Sequence, residues 1–366
     1  MTDVYQGLRE HLDKLPAGFP ATDNGVEIRI LKQLFTPEEA RMAQQLGLKL
    51  ETAEAIAGRI GMPVDEAAEL LKTMSRKGLI FSIESEGRPP AYMAAQFVVG
   101  IWEYHVDRLT PEFIKDSEEY FPVLAKEAFN HLPQLRTIPV EKSIDAGMNV
   151  LAYEKAEELV KHQKKFLVAP CICRKEEQIK GHACDKPLEN CLIFGWGADF
   201  YERNGLGRVI TLEETLDILS RADKDGLVLQ PSNSQDITNI CCCCGDCCQV
   251  LKNLKNHPAP AQVCSTPFVV QAEVDECDGC EICLERCQME ALSMEDEAVA
   301  VIAERCIGCG LCVSTCPTEA LTLMRKPDYK EDEVPANTMD AMKRRAIARA
   351  AAKKELESKM ERHNRI

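Results

Sequence analysis

The chain has 366 residues and a formal net charge of −15, long enough for two or three domains with sizeable cores. The acidic balance argues against nucleic acid as a partner, because phosphate binding needs concentrated Lys and Arg. Its nineteen cysteines are odd in number and six of them are packed between Cys241 and Cys248, which, with no secretory leader expected, disfavours a disulfide framework. No window approaches the roughly 18 consecutive apolar residues that span a bilayer, so the expected setting is cytoplasmic, reducing and anaerobic.

Residues 1–35 form an N-terminal segment without a motif. Thr36-Pro37-Glu38-Glu39 combines an N-cap Thr, Pro at the first helical position and Glu at the third, which predicts a capping box. Ala40, Met42, Ala43 and Leu46 continue with helical spacing up to Gly47. A second helix is expected from Thr52 to near Gly61. A third starts at Pro63, carries Ala67, Leu70, Leu71 and Met74 on one face and stops at Gly78. Leu79 to Ile83 reads as a strand, 84–90 as a loop and Ala91 to Ala95 as the returning strand.

Three short helices and a hairpin over 36–95 resemble a winged-helix module. The resemblance implies either DNA binding or protein docking. The third helix sets acids Asp65, Glu66 and Glu69 against Lys72, Arg76 and Lys77, whereas a DNA reader presents Arg, Lys, Asn or Gln to base edges. Docking or scaffolding is the preferred reading.

Residues 96–164 are expected to be largely helical, with a break at Thr110-Pro111. Phe97, Trp102, Tyr104, Phe113, Tyr120 and Phe121 read as packing residues. His105 and His131 read as ordinary core or surface histidines.

The segment 165–257 is a Cys-rich region. A strand over Lys165–Ala169 leads into Cys171 and Cys173, followed by Cys184 and Cys191. A helix capped by Thr211, a strand over Leu227–Gln230 and a helix over Gln249–Asn256 complete an expected α/β domain, with cysteines at strand ends. Between them lies the run Cys241, Cys242, Cys243, Cys244, Cys247 and Cys248. Neighbouring side chains diverge in extended or helical backbone, so these six cannot all reach one metal. Position at a helix N-terminus would favour their thiolates. A further iron–sulfur cluster is the first expectation, with structural zinc and a thiol redox site as alternatives. Cys243-Cys244-Gly245 resembles, over three residues only, the Cys-Cys-Gly motif of heterodisulfide-reductase-type subunits. Arg174 and Lys175 are placed to balance an anionic centre. His182, Asp185 and Lys186 read as surface charges, Cys264 as a structural thiol, and no catalytic residue is assigned.

The strongest signal follows. Cys277, Cys280, Cys283 and Cys287 repeat, 29 residues on, as Cys306, Cys309, Cys312 and Cys316, the last followed by Pro317. Two separate disulfide or zinc knots would need that repeat to be coincidental. The C-x-x-C-x-x-C-x-x-x-C spacing suits iron–sulfur cubes, whose iron corners take soft anionic thiolates. Over 266–325 the chain resembles a bacterial-type two-cluster ferredoxin domain. That resemblance implies that Cys277, Cys280, Cys283 and Cys316 hold one 4Fe–4S cluster, while Cys306, Cys309, Cys312 and Cys287 hold the other. Ala291–Met294 and Ala320–Leu323 are matching strands, and Gln288 stands where the family usually has Pro.

Residues 336–366 carry nine Lys or Arg against four Asp or Glu in a helix-forming mixture. They predict a basic C-terminal helix, solvated or used for docking. The whole reads as a multidomain α+β protein. Its expected function is to relay single electrons between partner oxidoreductases through two 4Fe–4S clusters and a further metal site, whether alone or as an oxidoreductase subunit. The alternatives are a redox-sensing regulator using the winged-helix-like module, or a reductase acting at the Cys-rich domain.

Overall fold

The computed structural model describes residues 3–126, 132–145, 147–182, 184–330 and 333–363; His131 lies outside them. Two compact units emerge. One holds 1–131, 199–206 and 342–366, the other 132–198 and 207–341.

The first unit opens with α1 (Val4–Lys14), α2 (Val26–Leu34) and α3 (Pro37–Ala43). Thr36 Oγ1 accepts the Glu39 N–H while the Glu39 carboxylate accepts the Thr36 N–H, so the expected capping box is present. A two-residue strand, β1 (Glu51–Thr52), runs into α4 (Ala53–Ile60), whose cap is Thr52. Then come α5 (Val64–Arg76) and the hairpin β2 (Ile80–Ile83) and β3 (Ala91–Ala94). The central strand is β3, paired antiparallel with both β1 and β2.

Beyond β3 the expected helix is interrupted. Val98 and Val99 are extended, as suits a β-branched pair before Gly100, and regular helix resumes only at α6 (Pro111–Leu124), capped by Thr110. The aromatics pack on one another as expected. Trp102 meets Phe113 and Phe121 with ring centroids 5.1 and 5.2 Å apart, and Phe19 meets Tyr120 at 4.8 Å. His105 is buried among them and bonds the Ile101 carbonyl through Nδ1 at 2.6 Å.

The second unit contains α7 (Ala156–Lys161), β4 (Phe166–Pro170), α8 (Ile172–Ile179) and β5 (Glu189–Phe194). Next come α9 (Gly195–Arg203), whose residues from Asp199 belong to the first unit, β6 (Arg208–Ile210) and α10 (Leu212–Lys224). Strands β7 (Val228–Pro231) and β8 (Asn239–Cys243) and helices α11 (Gln249–Asn256) and α12 (Pro260–Val263) follow. The sheet order is β6-β4-β5-β8-β7, and every pairing is antiparallel.

This corrects the α/β expectation for 165–257. The strands are linked by reversals rather than by parallel crossovers, so the region is α+β. It also moves the cysteine run: Cys241, Cys242 and Cys243 lie in a strand, and only Cys248 caps a helix, α11.

The remaining elements are β9 (Phe268–Ala272), α13 (Ile282–Arg286), β10 (Leu292–Glu295), β11 (Ala298–Val301) and β12 (Leu321–Arg325). Ribbons β9/β12 and β10/β11 are both antiparallel. Last is α14 (Thr338–His363). Within the first unit its Arg349 donates to the Asp13 carboxylate and to the Asp13 and Leu15 carbonyls. No helix among the described residues is long and apolar enough to cross a membrane.

Candidate metal centres

Two cavities form between the ribbons. One is lined by Cys277, Cys280, Cys283 and Cys316 together with Met294, Val299 and Pro317, and holds about 310 Å³ of space outside atoms, its mouth to solvent included. The other is lined by Cys287, Cys306, Cys309 and Cys312 together with Val270, Met289 and Leu311, and holds about 360 Å³ on the same measure. Each cavity thus takes three thiols from one motif and the fourth from the other motif.

The loops that present these thiols need unusual backbone. Gly308 sits at φ +62°, and a Cβ there would lie 2.3 Å from the Phe268 carbonyl oxygen. Only glycine allows the cysteine loop to approach β9 this closely. The Cys287 thiol accepts the Ala291 N–H at 3.2 Å.

The donor set fits a cationic iron–sulfur core. Burial raises the pKa of Cys283, Cys306, Cys309 and Cys312, with neighbouring thiols adding to the effect. Four crowded thiols that resist ionisation in isolation gain most from a positively charged partner. At Cys316 burial also opposes ionisation. The Thr318 hydroxyl and the amides of Thr318, Ala320 and Leu321 outweigh it, and the pKa falls.

The Cys-rich sheet sorts the other thiols. Cys191 on β5 is the register partner of Cys241 on β8. Alternation along β8 puts Cys241 and Cys243 on one face and Cys242 on the other. Cys241 lies within hydrogen-bonding reach of Cys191 and Cys243, and Cys243 in turn reaches Cys248. Cys248 reaches Cys173, and Cys173 reaches Cys171. Six thiols therefore form one chain, with Cys243 and Cys248 buried and the other four half-buried. Within it the Cys241, Cys248 and Cys171 pKa values are lowered, chiefly by hydrogen bonds from neighbouring thiols, while Cys173 and Cys243 are raised by donating them. Cys248 also gains from the Val250 and Leu251 amides at the start of α11.

Two buried polar side chains attend this chain: Asn239 Nδ2 donates toward Cys241 Sγ at 3.7 Å, and Gln230 Oε1 lies 4.0 Å from Cys248 Sγ. Sequence reasoning missed both. Their signal was a polar residue inside a strand buried on both faces.

Cys184, Cys244 and Cys247 form a separate group whose sulfurs all lie within 4.8 Å of one another. Arg174, only 1% exposed, donates through Nη2 to the Cys242 carbonyl at 3.5 Å and to Cys244 Sγ at 3.6 Å, and through Nη1 to the Pro187 carbonyl. Burial opposes its charge, but Cys171, Cys244 and Cys184 outweigh burial and its pKa rises. Cys242 stands apart: it is buried, and burial pushes its thiol pKa up. Cys264 pairs with Thr137, whose Oγ1 lies 3.3 Å from its sulfur. His182 and Asp185 are surface groups, paired with Glu177 and Lys186 respectively.

Four residues join the segment with the two cysteine motifs to the Cys-rich region. Gln288 Oε1 accepts the Gly245 N–H at 2.6 Å. Arg286 donates to the Lys224 carbonyl at 2.8 Å and to Asp223 Oδ1 at 3.3 Å, and Ser314 Oγ donates to the same Asp223 oxygen at 2.8 Å. Arg305 donates to the Lys255 carbonyl at 3.1 Å.

No curated protein and no solved structure gives a significant match to the chain. Residues 276–320 match a family model described as a 4Fe-4S dicluster domain, a span that contains both cysteine motifs. That segment is a ferredoxin-type two-cluster domain.

Proposed function

We propose that the protein relays single electrons between partner oxidoreductases. In this reading Cys277, Cys280, Cys283 and Cys316 ligate one 4Fe–4S cluster, and Cys287, Cys306, Cys309 and Cys312 ligate the second. When bound, each cluster supplies one-electron redox chemistry. The protein's part is to hold the two at neighbouring cavities, to line them with Met294, Val299, Met289 and Leu311, and to stabilise ligands such as Cys287 with backbone N–H groups. The six-thiol chain of Cys171, Cys173, Cys191, Cys241, Cys243 and Cys248 is proposed as a further iron–sulfur site, continuous with the wire. What carries the reading is the bond between Gln288 and Gly245, which joins the residue after Cys287 to the turn between Cys243 and Cys248 of that thiol chain.

The winged-helix-like order of α3, β1, α4, α5, β2 and β3 supports a docking module. The basic C-terminal helix α14, whose Ile347 is exposed, is proposed as a second contact for redox partners. The same order of elements favours a redox-sensing regulator as the second reading, against which stand the acids of α5.

Anaerobic iron and sulfide quantification with EPR tests the relay. About eight irons per chain are expected from the ferredoxin-type domain alone. Cys316→Ser should erase the EPR signal that Cys277→Ser erases, and Cys287→Ser should pair with Cys306→Ser. Fewer irons, or the opposite pairing, would reject the ligand assignment. DNA binding that falls steeply with salt would favour the regulator.

A further inference from the structure

Metal sites differ in how far apart they hold their sulfurs. A tetrahedral zinc ion with Zn–S bonds of about 2.3 Å sets its thiolates about 3.8 Å from one another. An iron–sulfur cube binds each cysteine through a different iron, so its ligands stand further apart. Among the described residues, Cys184, Cys244 and Cys247 are the one group of three thiols whose sulfurs are mutually within 4.8 Å. Cys184 and Cys244 are 4.0 Å apart. No three of the eight thiols around the ferredoxin-type cavities meet that condition, nor do any three in the six-thiol chain.

The local structure suits a built site. Cys244 and Cys247 lie on one C-x-x-C turn, closed by the Cys248 N–H donating to the Cys244 carbonyl at 3.1 Å. A Cβ on Gly245 of that turn would lie 2.8 Å from the Gln288 carbonyl oxygen, so the turn is clamped. Cys244 and Cys247 are buried, and half-buried Cys184 gives the group an edge toward solvent. Arg174 supplies a fixed positive charge at 3.6 Å from Cys244 Sγ, and its buried Nε has no acceptor among the described residues. No fourth His, Cys, Asp or Glu among them joins the group.

We propose that Cys184, Cys244 and Cys247 bind one zinc ion through three thiolates and leave its fourth position to a small exogenous thiol. Three protein ligands with one exchangeable position is the pattern of reactive rather than structural zinc. A thiolate-rich ion prefers a soft fourth ligand. With three thiolates and Arg174 beside it, the centre is neutral overall, so an entering thiolate meets no net negative charge. The entering thiol gives its proton to solvent and displaces a bound water, and no electron is exchanged. This centre is separate from the electron wire, and its failure would leave the two ferredoxin-type cavities as they stand.

The test uses the full-length protein, purified anaerobically. One zinc per chain is expected. Cys184→Ala and Cys247→Ser should lose it with iron unchanged, whereas Cys277→Ser should lose iron and keep zinc. Cobalt substituted for zinc in the unaltered chain should show thiolate-to-cobalt charge-transfer absorption that shifts on adding 2-mercaptoethanol. The cobalt measurement needs no variant, so it stands even where a substitution prevents folding. Loss of iron in Cys184→Ala, zinc retained in both variants, or a cobalt spectrum indifferent to 2-mercaptoethanol would each overturn the proposal.

Discussion

Gln288 Oε1 accepts the backbone N–H of Gly245 at 2.6 Å, so the residue following Cys287 holds the turn that carries Cys244 and Cys247. Proline, the family's usual residue here, offers no side-chain acceptor. Gln288→Leu leaves a buried N–H unpaired, at a cost of about 1–3 kcal/mol. The expected result is a lower denaturation midpoint of that order, with the iron content of the ferredoxin-type domain retained. Gly245→Ala should act in the same direction, because its Cβ would press on the Gln288 carbonyl oxygen. Chemical denaturation of the reconstituted protein measures both.

Asp223 on α10 binds Arg286 and Ser314 together, and its side chain is only 9% exposed. Asp223→Ala strands the Arg286 charge, which lies next to Cys287. Losing one partner of such a pair costs roughly 3 kcal/mol. Asp223→Asn, which keeps an acceptor for Ser314, should lose less. The two variants are separated by their denaturant midpoints, and equal values would discount the acceptor kept for Ser314 and leave the ion pair as the whole effect.

Gly308 holds the second cysteine motif against β9. Gly308→Ala combines a left-handed backbone with a contact of 2.3 Å to the Phe268 carbonyl oxygen, so the loop around Cys306 and Cys309 must move. The expected outcome is loss of about four irons per chain, the content of one cube. Gly58→Ala is the control. It lies inside α4, exposed, with nothing within 4 Å of its added Cβ, and should stabilise the helix by up to about 1 kcal/mol.

His105 links the stability of the first unit to pH. Burial pulls its pKa from the ordinary 6.5 down to about 4. Above pH 6.5 the imidazole is neutral in both folded and unfolded chains, and nothing is lost. As pH falls from 6.5 toward 4, the unfolded chain takes up a proton that the folded chain refuses, so stability falls. The full effect is about 3 kcal/mol. His105→Gln should flatten this acid limb in thermal melts, and an unchanged pH slope would show that other groups govern it.

Local signals were legible without the fold. Thr36, Thr52, Thr110 and Thr211 each cap a helix as their spacing implies, because a cap is decided within four residues. Both ferredoxin-type motifs were legible for the same reason, since three thiols of each quartet come from one short loop. The irregular stretch at Val98–Gly100 was missed because tertiary packing of the aromatic cluster overrides a helical pattern.

By itself the sequence determined that cysteines concentrate in two fields, and that one of them repeats at ferredoxin spacing. Only the tertiary structure decided how the other ten, Cys171 to Cys248, divide. Partnership there depends on which residues of β5 and β8 face each other, as Cys191 and Cys241 do, and on which side of the strand each side chain leaves. A slip of one residue would exchange Cys242 for its neighbours. That register is set by the antiparallel sheet as a whole, and no local spacing records it. Gln288 belongs to the same class: its acceptor finds Gly245 only once residues 43 apart in the chain are folded together.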